Sequence, residues 1–124
     1  MMIYGVGIDS CEIDRIKKSL KNKLFFEKVF GEKEKKELIL KKMNPQNIAA
    51  CFCAKEAFSK AMGTGIRGFK FVDVQMLHHE NGKPYLELSN NAKELREKNN
   101  LVFNVSVTHT KQTATVIVIS EKRG

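Results

Sequence analysis

Ala50-Cys51-Phe52-Cys53-Ala54-Lys55-Glu56-Ala57-Phe58-Ser59-Lys60-Ala61-Met62-Gly63-Thr64-Gly65-Ile66-Arg67-Gly68 is the stretch on which the reading of this chain turns. Ala50, Ala54, Ala57 and Ala61 recur at helical spacing, so one side of the predicted helix is flat enough for another backbone to lie close against it. Glu56 and Lys60, one turn apart, share another side with Phe52, Ser59 and Gly63. A carboxylate and an ammonium beside such a stripe, followed by Gly63-Thr64-Gly65, suit a metal and a phosphate. They equally suit a surface ion pair worth about 0.3–0.5 kcal/mol, ahead of an ordinary glycine helix stop. Residue types alone leave both readings open.

Outward from this helix, 124 residues with 42% hydrophobic and 29% charged content predict one domain over residues 1–124 with a packed core. No apolar run approaches the roughly 20 residues that span a bilayer, and Met1 to Gly5 lacks the features of a secretion signal. The expectation is a cytoplasmic protein without a membrane partner. Cys11, Cys51 and Cys53 are odd in number and poorly spaced for zinc, so they read as free, buried thiols. The net charge of +8 predicts attraction to something acidic. Trp is absent, and Tyr4 and Tyr85 lie outside the basic runs, which argues against a base-stacking platform for nucleic acid.

Ile3 to Ile8 reads as a buried strand ending at Asp9, with Gly5 and Gly7 permitting close backbone approach. Ile13, Ile16, Leu20 and Leu24 then form the apolar stripe of a helix whose other side carries Arg15, Lys17, Lys18 and Lys21. That basic side is either a plain solvated face or a docking surface for an acidic partner. Phe25, Phe26, Val29 and Phe30 form a hydrophobic cluster before Gly31. Glu32 to Met43 predicts a charged helix with Leu38 and Ile39 inward and no chemistry of its own. Asn44 as N-cap and Pro45 at the first helical position start the long central helix, which runs to about Met62.

Beyond Gly68 the pattern becomes strand. Phe69 to Leu77 and Tyr85 to Leu88 flank a hairpin turn at Asn81-Gly82. Asn91 with Glu94 resembles a capping box for a short helix through about Lys98. Leu101 to His109 and Thr113 to Ser120 form a closing hairpin around Lys111-Gln112. The expected fold class is α+β, a mostly antiparallel sheet packed on the long central helix. His78 and His79 alternate faces at a strand end and read as exposed, turn-proximal residues. His109, at another strand end, is by itself most economically structural.

Lys55 to Ala61 followed by Gly63 to Ile66 closely resembles the central motif of the holo-(acyl-carrier-protein) synthases, the small 4′-phosphopantetheinyl transferases. Gly7-Ile8-Asp9 with Glu12 and Arg15-Ile16 resembles the N-terminal motif of that family. Asn81-Gly82-Lys83-Pro84 matches its glycine-lysine-proline hairpin, and Ser106-Val107-Thr108-His109-Thr110 resembles its C-terminal strand. Four motifs in order make the resemblance specific, where any one alone would be weak.

The resemblance implies transfer of 4′-phosphopantetheine from coenzyme A to a serine of apo acyl carrier protein, with adenosine 3′,5′-bisphosphate as the other product. By motif position it makes Asp9 and Glu56 ligands of Mg²⁺, and Glu56 and Lys60 the catalytic pair. Gly63, Thr64, Gly65, Lys83, Pro84, Thr108 and His109 would contact coenzyme A. The basic helix, with Arg15, Lys18 and Lys21, would receive the acidic carrier. The resemblance further implies a homotrimer whose active site is completed by oligomerisation. One departure stands out: Cys51 occupies a position where the family commonly has Arg, and Lys55 is the nearest cation to replace its phosphate contact. The alternative to the transferase is a basic nucleic-acid-binding module without catalysis, which accounts for the charge but leaves Asp9 and Glu56 unexplained.

Overall fold

In the computed structural model, residues 2–63 and 68–124 are described. Strand β1 (Met2–Glu12) pairs antiparallel with β5 (Thr113–Lys122), and β5 pairs antiparallel with β4 (Leu101–His109), giving a three-stranded sheet in the order β1-β5-β4. A separate hairpin joins β2 (Val74–His78) and β3 (Pro84–Leu88). Its turn places Gly82 at φ 90°, the left-handed region that glycine enters at no cost.

The central helix α4 (Pro45–Met62) lies on the sheet. Asn44 accepts a hydrogen bond from Gln46 N at 2.9 Å, and Gly63 closes the helix at φ 73°. Asn44 is the N-cap the sequence predicts, and of the two glycines the sequence offers as a stop, Gly63 and Gly65, Gly63 is the cap. The helix and β1 pack backbone to backbone: a methyl group on Gly7 would sit 1.9 Å from Ala57 O, and one on Gly5 would sit 2.0 Å from Ala61 O. From β5, Ser120 Oγ donates toward Ala61 O at 3.0 Å, while Ala114, Val116 and Val118 fill the rest of the interface. A second apolar cluster joins Phe58 and Met62 to Phe69, Val74, Leu88, Leu101 and Ala92, the last on helix α5 (Asn90–Asn99).

Elsewhere the elements depart from the sequence pattern. The stripe from Ile13 to Leu24 is split into α1 (Ile13–Ser19) and α2 (Lys23–Val29), because Asn22 turns its side chain onto Leu24 N at 3.0 Å and starts a new helix. Leu24 consequently faces solvent. Helix α3 (Glu32–Leu40) stops before Met43, since Lys42 and Met43 adopt positive φ. Only Leu38 of the expected inward pair is buried; Ile39 is 59% exposed. The capping box at Asn91 is not made, and Asn90 instead donates to Asp73 Oδ1 at 3.0 Å. The segment before β2 forms a single 3₁₀ turn at Phe71–Asp73 rather than strand.

Two charges that the sequence pattern places on surfaces lie in the interior. Lys55 Nζ donates to Glu34 Oε1 at 2.6 Å, to Val74 O at 2.6 Å and to Phe71 O at 3.1 Å, so all three ammonium protons are used. Glu34 also accepts from Gly31 N at 3.1 Å and from Met76 N at 2.9 Å. Lys55 as a coenzyme A contact, or as a replacement for the Arg missing at Cys51, is therefore corrected: it is fully buried and joins α3, α4 and β2. Burial pushes the Glu34 carboxyl up, and the Lys55 ammonium and the two amides draw it back. Replacing one partner of such a pair strands the other charge away from water. Lys55→Met is expected to cost about 3–5 kcal/mol of unfolding free energy in chemical denaturation, with part recovered when Glu34→Gln is added. A loss no larger in the single variant than in the double would refute this role.

Candidate active site

Because side chains alternate along a strand, Gly5, Gly7, Asp9 and Cys11 all face α4. The two glycines let the strand descend onto the helix, and Asp9 is thereby carried to the level of Glu56 and Lys60. Together they line an open cleft of about 520 Å³ whose wall includes Cys11, Arg15, Ile16, Phe25 and Phe52. The rings of Phe25 and Phe52 are 5.9 Å apart and close one side. Lys60 Nζ donates to Ile8 O at 2.9 Å and to Asp9 Oδ1 at 3.3 Å. Its side chain stays 54% exposed, against 19% for Asp9.

Burial raises the pKa of Glu56, the Asp9 carboxylate raises it further, and the Lys60 ammonium opposes both. The cleft gathers the carboxylates of Asp9, Glu12 and Glu56 against the cations Lys60 and Arg15, so one negative charge is left uncompensated. Hard oxygen donors of this kind suit Mg²⁺, which keeps several of its waters and takes the remaining ligands from a phosphate substrate.

The residues expected at the nucleotide end gather elsewhere. Pro84 and His109 line a second cleft of about 270 Å³ with Asn47, Ala50, Met76 and His78. Lys83 is exposed at the adjoining turn. Thr108 points to the opposite face of the sheet from His109, opposite Thr115 in register. Gly63 is exposed at the end of α4. Thr64 and Gly65 lie outside the described residues. Cys51 is buried next in sequence to Ala50 of the second cleft, with its thiol directed at Met76 O at 3.8 Å. A single chain thus assembles Asp9, Glu56 and Lys60 in one place and Pro84 with His109 in another. Arg15, Lys18 and Lys21 are exposed on and just after α1, with Arg15 at the rim of the first cleft.

The sequence did not mark Phe25 and Phe52 as cleft walls, because aromatic residues at helical spacing read first as core. It also left His78 in solvent. In the structure, its Nδ1 meets Glu37 Oε1 at 2.5 Å, which holds the ring at the second cleft. Only the alternation of β2 opposite a charged helix hinted at that contact. His79 stacks on Tyr85 with ring centroids 4.3 Å apart.

The sequence profile of the 4′-phosphopantetheinyl transferase superfamily matches residues 5–116. The chain belongs to this superfamily. Among curated proteins, it is 41% identical to the holo-[acyl-carrier-protein] synthase of Clostridium perfringens over 97% of this chain and 95% of that one. It is 43% identical to the synthase of Alkaliphilus metalliredigens, over 96% and 99%. Among solved structures, the synthase of Neisseria meningitidis superposes with a TM-score of 0.91 at 30% identity, covering 98% of this chain and all of that one. The synthase of Bacillus anthracis in complex with CoA (3′,5′-ADP) gives 0.82 at 33% identity, covering 99% and 100%. This superfamily chain thus has the α+β fold expected of it, with antiparallel sheets on a long helix.

The Glu56 environment has a direct spectroscopic consequence in metal-free protein. Asp9→Asn removes a repelling carboxylate and should lower the Glu56 pKa, while Lys60→Met should raise it, each read from the side-chain carboxyl ¹³C shift against pH. Shifts in the same direction for both variants would contradict the electrostatic arrangement.

Proposed function

We propose that this chain transfers the 4′-phosphopantetheine group of coenzyme A to a serine hydroxyl of apo acyl carrier protein and releases adenosine 3′,5′-bisphosphate. The observation that carries this reading is the meeting of Asp9, Glu56 and Lys60 in one cleft of a chain with this family membership. In the reaction, the serine oxygen forms a bond to the pyrophosphate phosphorus nearer the pantetheine, and the bond to the bisphosphate breaks. Glu56, with its pKa raised by burial and by Asp9, accepts the serine proton. Lys60, held over Asp9 but still open to solvent, faces the charge that develops on the leaving phosphate. Asp9 and Glu56 would hold Mg²⁺, which when bound supplies Lewis-acid neutralisation of the phosphate oxygens.

The carrier, an acidic protein, docks on α1 through Arg15, Lys18 and Lys21, all of them exposed. No helix among the described residues is long and apolar enough to cross a membrane, which accords with work on cytoplasmic substrates. The assembly is a homotrimer. Two features support it: the separation of the His109 cleft from the Asp9 cleft within one chain, and the exposed apolar side chains Tyr4, Val6 and Ile8 on the sheet face away from α4. In this arrangement one protomer supplies Asp9, Glu56 and Lys60, and its neighbour supplies Lys83, Pro84 and His109.

Incubation with apo acyl carrier protein, coenzyme A and Mg²⁺ should add one phosphopantetheine to the carrier, as read by intact mass. EDTA and Asp9→Asn should abolish the adduct. Arg15→Glu should raise the KM for the carrier steeply and leave that for coenzyme A nearly unchanged. An unmodified carrier with folded protein would overturn the reading. Separately, Asp9→Ala and His109→Ala chains, inactive alone, should regain part of the activity when dissociated and reassembled together. No recovery in verified mixed oligomers would exclude the shared site.

A further inference from the structure

Cys11 and Cys53 meet across the interface that carries the catalytic carboxylates. Cys11 follows Asp9 by two residues on the same face of β1, and Cys53 precedes Glu56 by three residues on α4. The Cys53 thiol points at Cys11 Sγ, with the sulfurs 2.8 Å apart, and both cysteines are free. Around them, Ala49 O lies 3.4 Å from Cys11 and Ala114 O lies 3.6 Å from Cys53, and the Asp9 carboxylate also faces Cys53. Cys51, two residues away on the same helix, turns instead toward Met76 O and is in no position to join them. One pairing is therefore available among the three cysteines.

The two sulfurs differ in access. Cys11 is partly exposed and belongs to the wall of the first cleft, between Ser10 and the Arg15 side. Cys53 has no solvent exposure. A small polar oxidant entering the cleft reaches Cys11 first, and Cys53 stands directly behind it as the resolving thiol. A disulfide requires sulfurs at about 2.05 Å, so the thiols need to close by less than an ångström.

We propose that Cys11 and Cys53 form a dithiol modification site that a hydroperoxide closes to a disulfide, with loss of transferase activity. Cys11 sulfur takes one oxygen from hydrogen peroxide, giving a sulfenic acid and water. Cys53 sulfur then displaces that oxygen as a second water, and the S–S bond forms. Two thiols are oxidised, one peroxide is reduced, and a small dithiol such as dithiothreitol reverses the step.

Activity falls because the bond clamps the two elements that hold Asp9 and Glu56. At Gly5 and Gly7 the strand already touches the helix backbone, so it cannot approach further there. The pull at Cys11 is absorbed at the Asp9–Glu12 end of β1 and moves Asp9 relative to Glu56. Displacements below an ångström at reacting groups are enough to cost roughly tenfold or more in rate.

The test uses the reduced chain and hydrogen peroxide. The expected product has lost the mass of two hydrogens and keeps one titratable thiol, and a proteolytic peptide links Cys11 to Cys53. Carrier modification by this product should fall about tenfold and return with dithiothreitol. Cys53→Ala should match the parent before oxidation. With peroxide it should yield no linked peptide and should drive Cys11 on to sulfinic acid, which dithiothreitol does not reverse. Accumulation of Cys11 sulfinic acid without a linked peptide in the folded parent chain would overturn the proposal, as would a linked chain of undiminished activity. The activity arm rests on the transferase reading, whereas the linked peptide is read without it, so the two can fail separately.

Discussion

The contact of β1 with the backbone of α4 is the constraint on which the rest of the molecule depends. Two glycines on the strand and two alanines on the helix remove every side chain that would hold these elements apart. Dense interiors accommodate such a contact only where it occurs, and a single added methyl group has nowhere to go. The depth of this contact puts Asp9, one strand step beyond Gly7, beside Lys60 and facing the cleft of Glu56. The geometry of this cleft is a by-product of how closely two backbones approach.

The opposite side of α4 is fixed by different means. There the Lys55 ammonium and the Glu34 carboxylate are buried with their hydrogen-bonding capacity filled by each other and by the backbone of Gly31, Phe71, Val74 and Met76. Adjacent residues of one helix therefore carry opposite duties. Lys55 secures the helix to the small hairpin, and Glu56 is left facing the cleft. The helix is held on both sides, by packing on one and by a satisfied ion pair on the other, and its exposed edge is free for chemistry.

Local signals made much of this legible in the sequence. Asn44-Pro45 and Gly63 bound the central helix, Asn81-Gly82 turns the small hairpin, and the alanine stripe and Gly5-Gly7 announce the close packing that the structure contains. Signals that compete for the same residues were harder to read. Asn22 breaks a helix that its apolar stripe continues, and Glu34 is one acid among several in a charged helix, because nothing near it in sequence reveals its partner 21 residues away. Lys55 was misplaced for the same reason: a motif fixes a residue's neighbours along the chain, while its burial is decided by the strand and turn that fold over it. Asp9 lies 51 residues from Lys60, so only the family's motifs could bring the two together before the fold was in view.

The pairing of β1 with β5 brings Met2 opposite Lys122 and Asp9 opposite Val116. Nearly the whole chain lies between these partners, and closing so long a loop is among the slower events a small domain undergoes. During synthesis β1 emerges well before β5. Until β5 arrives, Tyr4, Val6 and Ile8 have no strand beside them, and Asp9 has no fixed place over α4. The site therefore comes into being only when β5 has been made, and a chain that still lacks β5 carries an unpaired apolar strand instead of a cleft.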